Sequence, residues 1–547
     1  MLNVETYNYT AASLKALAPE IVLMAAAVAI ITTGAFLSKS CRFWARCSAA
    51  ALLGSLVAWT MTLGVVPDEI AAVFVNDTFS VDVRFGLLVF GLIILGLLHD
   101  QVDAARAPEF FGSLLFVQAG TMIVAGANDL VILFLGLELV SLPTYLMLYL
   151  ARRNATTLES ATKYFFLSIF ASALFLYGLA FLYGQLGITQ IKGIATVFHS
   201  DIVNVPDGKF AVIAGFLIFV GLAYRIAAVP MHFYAPDVYE GSPYAMTALL
   251  SWYPKAVGFI AMARLISPIY GRRLDGVNDY VVDRFLVGFA IVAAATLLMG
   301  NAMALLQTNL RRLLAYSSIS HSGFLLLGFI ASLRQDGPIG SAPADPQLGV
   351  FGILYYLAAY GLMTLGAVGV LISLNRGGTP VETIDDLAGL GQRNPLKALY
   401  LALFFFSMAG IPPLVGFWGK FYVFSALFSV ASREADRMLT WLAIFAAICA
   451  AIGVVYYLRV VVTMYLKESD LGALEGDPVR SNDPWPLKLA VSGCLVGTLL
   501  IGLFPAIVSQ PAHRSAVSAV RLPLIKPTLQ GGGAPTTASA APAGNTR

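Results

Sequence analysis

The sequence predicts an all-α polytopic membrane protein with about fourteen transmembrane helices. Of its 547 residues, 58% are hydrophobic and 12% are charged, and its mean hydropathy of +0.79 is outside the range of soluble domains. Its apolar runs are mostly about 17 to 25 residues long, which is the length that crosses about 30 Å of hydrocarbon as a helix. The runs are continuous, whereas a membrane barrel would show short alternating segments.

The fourteen spans fall into groups along the chain. The N-terminal segment 1–107 holds three, at 17–38, 47–65 and 83–98. Residues 108–268 hold five, at 108–126, 129–150, 163–184, 210–230 and 244–268. Residues 283–466 hold another five, at 283–303, 312–333, 349–374, 396–427 and 438–466. The last span, 486–509, lies in residues 467–509, and the Gly-, Ala-, Pro- and Thr-rich residues 510–547 are predicted to be disordered.

Two of the spans are interrupted by proline. The seventh breaks at Pro230, and the twelfth breaks at Pro412 and Pro413. Proline removes a backbone donor and clashes with the preceding turn, and broken helices at membrane depth usually line a cavity. The two breaks lie five spans apart, so five-helix units formed by spans 4–8 and 9–13 place them at matching positions. Because an odd number of spans inverts the second unit, we expect two inverted five-helix repeats with broken helices 7 and 12.

Charge and cysteine content exclude several classes of function. The net charge of +3 is scattered over loops, so nucleic acid is not an expected partner. Cys41, Cys47, Cys449 and Cys494 form no CxxC pair, and no two of the five histidines have helical spacing within one span. There is also no nucleotide loop and no nucleophile with a base. We predict no cofactor and no metal in this chain.

Loop charges suggest an orientation. No basic cluster precedes the first span, so this span is expected to be retained rather than cleaved as a signal peptide. An even number of spans leaves both termini on one side, opposite the loop that contains Lys39, Arg42 and Arg46. The positive-inside rule favours the cytoplasm for that loop, and we therefore expect periplasmic termini.

Four ionisable side chains lie inside otherwise apolar stretches: Glu138, Arg225, Lys255 and Lys420. Each costs roughly 2.5 to 3.5 kcal/mol at a bilayer centre, so the four together oppose insertion by about 10 kcal/mol. A passive anchor would have little reason to carry them. A membrane charge pathway is therefore the leading hypothesis.

The four side chains differ in chemistry. Lys255 and Lys420 lie beside prolines or glycines that admit water, and burial favours the neutral amine, so both are predicted to take up and release protons. The alternative is a lysine that snorkels to the interface. Arg225 is not expected to deprotonate, and as a fixed charge it would hold Glu138 anionic or bias Lys255 toward its neutral form. For Glu138 the alternative is a structural ion pair.

Four weaker candidates are His232, His321, Glu159 and Lys163. His321 relays protons or is satisfied by the serine hydroxyls at positions 318, 320 and 322. His232 lies at the first break. Glu159 and Lys163 stand at i,i+4 and are expected to form a helix-surface pair. We expect Glu20 and Arg459 to be interfacial and outside any pathway.

Four segments resemble the antiporter-like membrane subunits of respiratory complex I, in particular the N type: GLELVSLPTYLM, RIAAVPMHFYAPDVYEGSP, LRRLLAYSSISHSG and MAGIPPLVGFWGKFYVF. The resemblance covers residues 15 to 508. It implies fourteen helices in two inverted repeats, and proton passage across a bacterial inner membrane driven by quinone reduction. It also implies that NADH, FMN, iron–sulfur clusters and quinone belong to partner subunits. The implied partners are a second antiporter-like subunit, small membrane-arm subunits and lipid.

The resemblance also assigns residues. It makes Glu138 the acidic residue of the fifth helix and Lys255 and Lys420 the lysines of the eighth and twelfth, and it places His321 and Glu159 at motif positions. Arg225 departs from the pattern, in which a lysine usually pairs with the glutamate. We therefore expect Glu138 and Arg225 to form an electrostatic gate, Lys255 to be a central relay, and Lys420 to be an exit-side or storage site. The alternatives are an Mrp-type cation/proton antiporter subunit and a structural membrane-arm subunit.

Overall fold

The computed structural model describes residues 14–64, 73–151, 154–198, 208–270, 279–333, 347–376, 379–434, 437–468 and 483–520. Over these residues the predicted helical class is confirmed. The only strands there are β1 (Asn375–Arg376) and β2 (Thr379–Pro380), which form a two-residue antiparallel pair.

The helices of the first half are α1 (Ala18–Gly34), α2 (Cys41–Thr62), α3 (Thr78–Leu98), α4 (Ala107–Gly126), α5 (Leu130–Ala151), α6 (Ala155–Leu186), α7 (Ile191–Phe198), α8 (Gly208–Arg225), α9 (Tyr234–Gly241) and α10 (Tyr244–Ala261). A π-helical turn, Met262–Ile266, and α11 (Ser267–Tyr270) continue α10.

The second half contains α12 (Asp279–Leu305), α13 (Leu310–Leu333), α14 (Gln347–Ser373), α15 (Leu390–Arg393), α16 (Pro395–Ala409), α17 (Val415–Glu434), α18 (Arg437–Leu466), α19 (Trp485–Leu503) and α20 (Ala506–Val520). The connection between α14 and α16 consists of the hairpin, a 3₁₀ turn (Asp385–Leu387) and the single turn α15.

Ten helices among the described residues are long and apolar enough to cross a membrane, which makes the chain a multi-pass membrane protein. Three shorter apolar helices are α1, α8 and α16. The last two are short because they are the broken helices. Helix α10 is less apolar, and all of its residues are buried within the protein, so it does not need a lipid-facing surface.

The first predicted break follows α8. The Ala228 N–H donates to the Ala223 carbonyl at 2.8 Å and the Ala227 N–H donates to the Tyr224 carbonyl at 3.0 Å, while Ala227 has a φ of 53°. This is a Schellman turn, which is normally built on glycine because an alanine Cβ is crowded in the left-handed region. The chain then leaves the helix axis before Pro230 and re-enters helix at α9.

The second predicted break follows α16 and has the same hydrogen bonds. The Ile411 N–H donates to the Phe406 carbonyl at 3.0 Å, and the Gly410 N–H donates to the Ser407 carbonyl at 3.0 Å. Gly410 takes the left-handed position with a φ of 92°. Both interruptions predicted from proline are therefore confirmed, and each exposes the carbonyl end of a helix inside the bundle.

We name the two ends of the helical bundle by one residue each. The Asp77 end holds the beginnings of α3 and α5 and the π turn after α10. The Asp237 end holds α9 and the beginnings of α6 and α13.

An ion pair that the sequence did not suggest joins α1 and α3. Glu20, which we expect near a membrane interface, is 0% exposed within the protein and lies 2.7 Å from Arg84 Nε. Arg84 also donates to the Asn76 side chain at 2.9 Å and to the Ala16 carbonyl at 2.8 Å. Arg84 compensates the charge of the Glu20 carboxylate, and its other donors are taken up by Asn76 and Ala16. The buried pair therefore does not need water as a partner.

Helix α20 contradicts the disorder predicted from residue 510 onward. Ala512 and Ala516 are buried, and Ser515 donates to Asp82 of α3 at 2.8 Å. Small side chains let this polar helix pack closely against the bundle, a contact that its composition does not reveal. Residues 521–547 of the predicted disordered segment lie outside the described residues.

Replacing Arg84 by alanine should destabilise the protein by about 3 to 5 kcal/mol, because Glu20 would stay buried without a cation. Exchanging both members together, as Glu20→Leu with Arg84→Met, should recover most of this loss. The measurement is thermal unfolding of the purified protein in detergent. Arg42→Ala, which breaks the exposed pair with Asp100, is the control and should cost less than about 1 kcal/mol.

Candidate functional site

The predicted pair Glu138 and Arg225 forms in the structure. Arg225, the last residue of α8, donates to Glu138 Oε1 of α5 at 3.1 Å, and the two side chains are 8% and 19% exposed. Ser172 of α6 donates to the same carboxylate oxygen at 2.5 Å. The carboxylate is thus held by groups from two other helices.

The remaining donors of Arg225 also have partners. It donates to the Leu137 carbonyl at 3.1 Å, to Ser141 Oγ, and to Ser172 Oγ at 3.4 Å. A guanidinium can serve several acceptors in fixed directions, whereas a lysine ammonium is a compact point charge. The site is therefore shaped for the arginine at position 225.

Lys255 lies in the fully buried helix α10 and is 2% exposed. Among the described residues no hydrogen-bond partner is found for its ammonium group. Helix α10 packs closely against the end of α8 one turn further on, at Gly258, where a Cβ would lie 2.5 Å from Ile226 Cγ2. A larger residue there would displace the Ile226 side chain at the end of α8.

His321 of α13 lies between two tyrosines. Its Nδ1 is 2.7 Å from the Tyr356 hydroxyl of α14, and its Nε2 is 3.0 Å from the Tyr457 hydroxyl of α18. The neighbouring serine hydroxyls that the sequence offered are not its partners.

Lys420 of α17 is 9% exposed and binds the end of the broken helix α16. Its ammonium donates to the Met408 carbonyl at 3.0 Å and to the Ala409 carbonyl at 2.9 Å, and it lies 5.2 Å from the centre of the Phe324 ring. Free carbonyls at a helix C-terminus carry partial negative charge and attract a cation. No carboxylate within 4 Å is found for Lys420 among the described residues.

A second group of hydroxyls lies beside His321. Ser318 Oγ accepts from the Tyr360 hydroxyl at 2.8 Å and is 3.3 Å from the Tyr239 hydroxyl. Tyr239 belongs to α9, which follows the first break, and Tyr360 belongs to α14. These contacts therefore connect the two halves of the chain with groups that can both donate and accept protons.

Charged side chains line a cavity of about 440 Å³ at the Asp237 end. Lys163 lies 2.8 Å from Glu159, as predicted, and 2.9 Å from Asp237. Arg312 of α13 lies 3.1 Å from Asp237 and 2.7 Å from Glu240. The predicted helix-surface pair is therefore part of a larger network that links α6, α9 and α13.

The other predicted positions lie apart from this series. His232 lies in the turn after Pro230 and makes no hydrogen bond to the other predicted site residues within the described ranges. Arg459 donates to the carbonyl of Leu305 at 2.9 Å and to that of Gln307, at the end of α12. In the part of the chain that is described, no group of three or more His, Cys, Asp or Glu could hold a metal ion.

Residues 127–448, which contain all four buried charges, match the family described as NADH:quinone oxidoreductase/Mrp antiporter, transmembrane. The chain belongs to this family. It is 36% identical to NADH-quinone oxidoreductase subunit N 1 of Koribacter versatilis, over 89% of this chain and 92% of that protein. It is 35% identical to NADH-quinone oxidoreductase subunit N of Trichlorobacter lovleyi, over 92% and 97% of the two chains. These relatives confirm the predicted antiporter-like class and its N type.

Solved structures of the family share the fold. A chain of respiratory complex I from Thermus thermophilus with bound aureothin matches with a TM-score of 0.70 at 27% identity, covering 90% of this chain and 98% of that one. A chain of the Mrp complex from a Dietzia species matches with a TM-score of 0.74 at 21% identity, over 93% and 98% of the two chains. The second match concerns the fold alone.

Sequence reasoning missed several members of the site. Tyr356, Tyr457 and Tyr360 were not singled out because tyrosine is common in apolar helices, although all three are almost fully buried here. Asp237 and Glu240 did carry a signal. They stand in the polar stretch YAPDVYEG immediately after a broken helix, where irregular backbone at membrane depth lines a cavity.

Gly258→Ala should push the end of α8 away from α10 and weaken the Glu138–Arg225 pair, because the added Cβ has no room. We expect a destabilisation of about 1 to 3 kcal/mol, measured by thermal unfolding, together with lower coupled activity. Gly288→Ala in α12 is the matched control, since a Cβ there meets nothing within 4 Å. Equal effects of the two substitutions would contradict the close packing.

Proposed function

We propose that this chain passes protons across the bacterial inner membrane through a buried series of charged and hydroxyl groups, as the N-type subunit of NADH:quinone oxidoreductase. The observation that carries the proposal is the contact of Ser318, one turn from His321 on α13, with Tyr239 of the first half and Tyr360 of the second. One charge pathway then includes residues from both halves of the chain.

The two breaks support fourteen membrane crossings arranged as two inverted five-helix repeats. Each broken helix ends in the same Schellman turn, and a proline, Pro230 or Pro413, follows three residues after the left-handed residue. Each also has a cation at its carbonyl end, Arg225 in the first half and Lys420 in the second. Matching sites on discontinuous helices are the pattern of transporters with internal repeats.

Protons enter at the Asp237 end in this proposal. The cavity there contains carboxylates and cations that are partly exposed, and Lys163 and Arg312 share Asp237. By the positive-inside rule this end, where α2 begins, faces the cytoplasm. Partly exposed carboxylates exchange protons with bulk water, whereas the buried groups further inside require a relay.

Glu138 and Arg225 act as the gate. The guanidinium keeps its charge, so it attracts Glu138 permanently and repels a proton on nearby Lys255. A change in the position of Glu138 alters how much of the Arg225 charge is compensated, and this changes the free energy of protonating Lys255. Arg225 thereby modulates proton transfer without carrying a proton.

Lys255, His321 and Lys420 carry the protons between the halves. Lys255 lacks a hydrogen-bond partner in the described part of the chain, so a water or a neighbouring group can receive its proton. His321, with tyrosine hydroxyls on both ring nitrogens, can pass a proton from one nitrogen to the other. Lys420 receives it and is stabilised by the carbonyl end of α16.

The redox reaction belongs to partner subunits in this proposal. NADH, FMN, iron–sulfur clusters and quinone bind elsewhere in the complex, and this chain contributes proton passage within the membrane arm. Its neighbours are a second antiporter-like subunit, small membrane subunits and lipid. An Mrp-type antiporter subunit, the first alternative, predicts sodium-dependent proton flux without NADH oxidation. A purely structural subunit, the second, predicts normal proton pumping after the buried lysines are replaced.

Lys255→Ala and Lys420→Ala should each lower NADH-driven proton uptake by at least about tenfold, because each removes a group that carries the proton. The measurement is proton uptake by proteoliposomes that contain the purified complex, divided by the rate of NADH oxidation. Lys488→Ala, which removes an exposed lysine of α19, is the control and should pump normally. Normal proton pumping by both buried-lysine variants would contradict the proposed pathway.

Arg225→Ala should uncouple the complex more severely than Arg225→Lys. The alanine variant leaves Glu138 without its cation, whereas lysine keeps the attraction and loses part of the bonding to Leu137 and Ser141. We expect partial pumping for Arg225→Lys, with a pH profile different from that of the parent because lysine can lose its proton. A parental pH profile in both variants would show that residue 225 is not a gate.

A further inference from the structure

Asp77, Arg264 and Lys192 form a buried charge cluster at the Asp77 end. Arg264 binds both carboxylate oxygens of Asp77, at 2.7 and 2.5 Å, and the two side chains are 5% and 6% exposed. Lys192 Nζ, at the start of α7, lies 4.0 Å from Asp77 Oδ2. Burial disfavours the Asp77 carboxylate, but the adjacent Arg264 guanidinium holds the pKa of Asp77 below its ordinary value. The pair therefore stays ionised.

Arg264 has two further contacts, so that it joins the π turn to α3 and α4. Its Nε donates to the Ala125 carbonyl near the end of α4 at 2.7 Å, and its guanidinium carbon lies 4.4 Å from the centre of the Phe79 ring in α3. Asp77 accepts from the Ser80 N–H at 2.9 Å and so caps α3. Bidentate pairing of this kind fixes direction as well as distance.

Arg264 is the middle residue of the π turn that follows α10. In this turn the Ser267 N–H donates to the Met262 carbonyl, five residues earlier. A π turn carries one more residue than the α-helical turn it replaces, so conversion to α-helix would rotate one flank relative to the other by about 100°. Turns of this kind are rare in proteins. The side chain of Arg264 attaches this π turn to α3 and α4.

Lys255 lies nine residues before Arg264, about 13 Å along the same helical stretch. Helix α10 is also held at its start, where the Tyr244 hydroxyl donates to the Val381 carbonyl at 2.7 Å, and beside Lys255, where Trp252 Nε1 donates to the Leu357 carbonyl at 3.4 Å and the Tyr253 hydroxyl donates to Gln118 Oε1. No hydrogen bond to a described residue holds the Lys255 ammonium, so the position of this side chain depends on the rotation of α10. The π turn and these contacts together hold that rotation.

We propose that Asp77 and Arg264 are positioning residues that hold the π turn and thereby fix the rotational position of Lys255 in the proton pathway. The inference rests on the proposed role of Lys255. It assigns the N-terminal segment, through α3, a part in proton transfer, although that segment lies outside the two repeats.

The test uses the assembled complex in proteoliposomes, with proton uptake per NADH oxidised measured from about pH 6 to 8.5. Asp77→Asn and Arg264→Gln should lower this ratio by about threefold or more and shift its pH profile, because a displaced Lys255 binds its proton with a different affinity. Asp100→Asn, which changes the exposed carboxylate paired with Arg42, is the control and should leave both unchanged.

A role in folding alone is separated by two further variants. Arg264→Lys keeps the charge and loses the bidentate fork, so it should assemble and still show the lower ratio. The exchange Asp77→Arg with Arg264→Asp restores opposite charges and should recover part of the ratio. If the Asp77→Asn complex does not assemble, the Arg264→Lys complex is measured instead. A parental ratio and a parental pH profile in Arg264→Lys would overturn the inference.

Lys255→Ala in the same preparation distinguishes the two proposals. If Lys255→Ala pumps normally, the proposed pathway fails, and the Asp77–Arg264 pair has no pathway residue to position. If Lys255→Ala loses pumping while Asp77→Asn and Arg264→Lys retain the parental ratio and profile, the pathway stands and the positioning role is wrong.

Discussion

Three buried arginines of the described bundle, Arg84, Arg225 and Arg264, each pair with a carboxylate from another segment of the chain, and this requirement determines much of how the helices are arranged. An unpaired charge at membrane depth costs more than an ordinary packing contact returns. The pairs join elements that are distant in the sequence, so they also determine which helices are neighbours. They are Arg84 with Glu20, Arg225 with Glu138 and Arg264 with Asp77.

The two buried lysines of the proposed pathway differ from these arginines in their hydrogen-bond partners. Lys420 has backbone carbonyls as partners, and Lys255 has no partner among the described residues. A carbonyl dipole stabilises an ammonium group less than a full negative charge does, so its proton is held less tightly. Within the proposed pathway, Arg225, which cannot lose a proton, has a full negative charge as its partner, whereas Lys420 has carbonyls. This distribution separates fixed charge from mobile charge.

Features that depend on a residue's own backbone could be predicted from the sequence, and features that depend on packing could not. Both breaks follow from proline chemistry, and the Glu159–Lys163 pair follows from helical spacing. For His321 one alternative was satisfaction by serine hydroxyls on its own helix, but its partners lie 35 and 136 residues away. The pair of Glu20 with Arg84 was missed for the same reason, because Arg84 reaches Glu20 only after α1 and α3 have packed together.

The two breaks also differ in a way that supports separate roles for the two halves. In the first, the cation Arg225 ends the broken helix itself and reaches outward to a carboxylate on α5. In the second, the cation Lys420 comes from the helix after the break and reaches back to free carbonyls of α16. Deprotonating Lys420 would remove the main attraction across its break, whereas Arg225 keeps its own at any protonation state of its neighbours. The first break is thus suited to a gate and the second to a site that fills and empties.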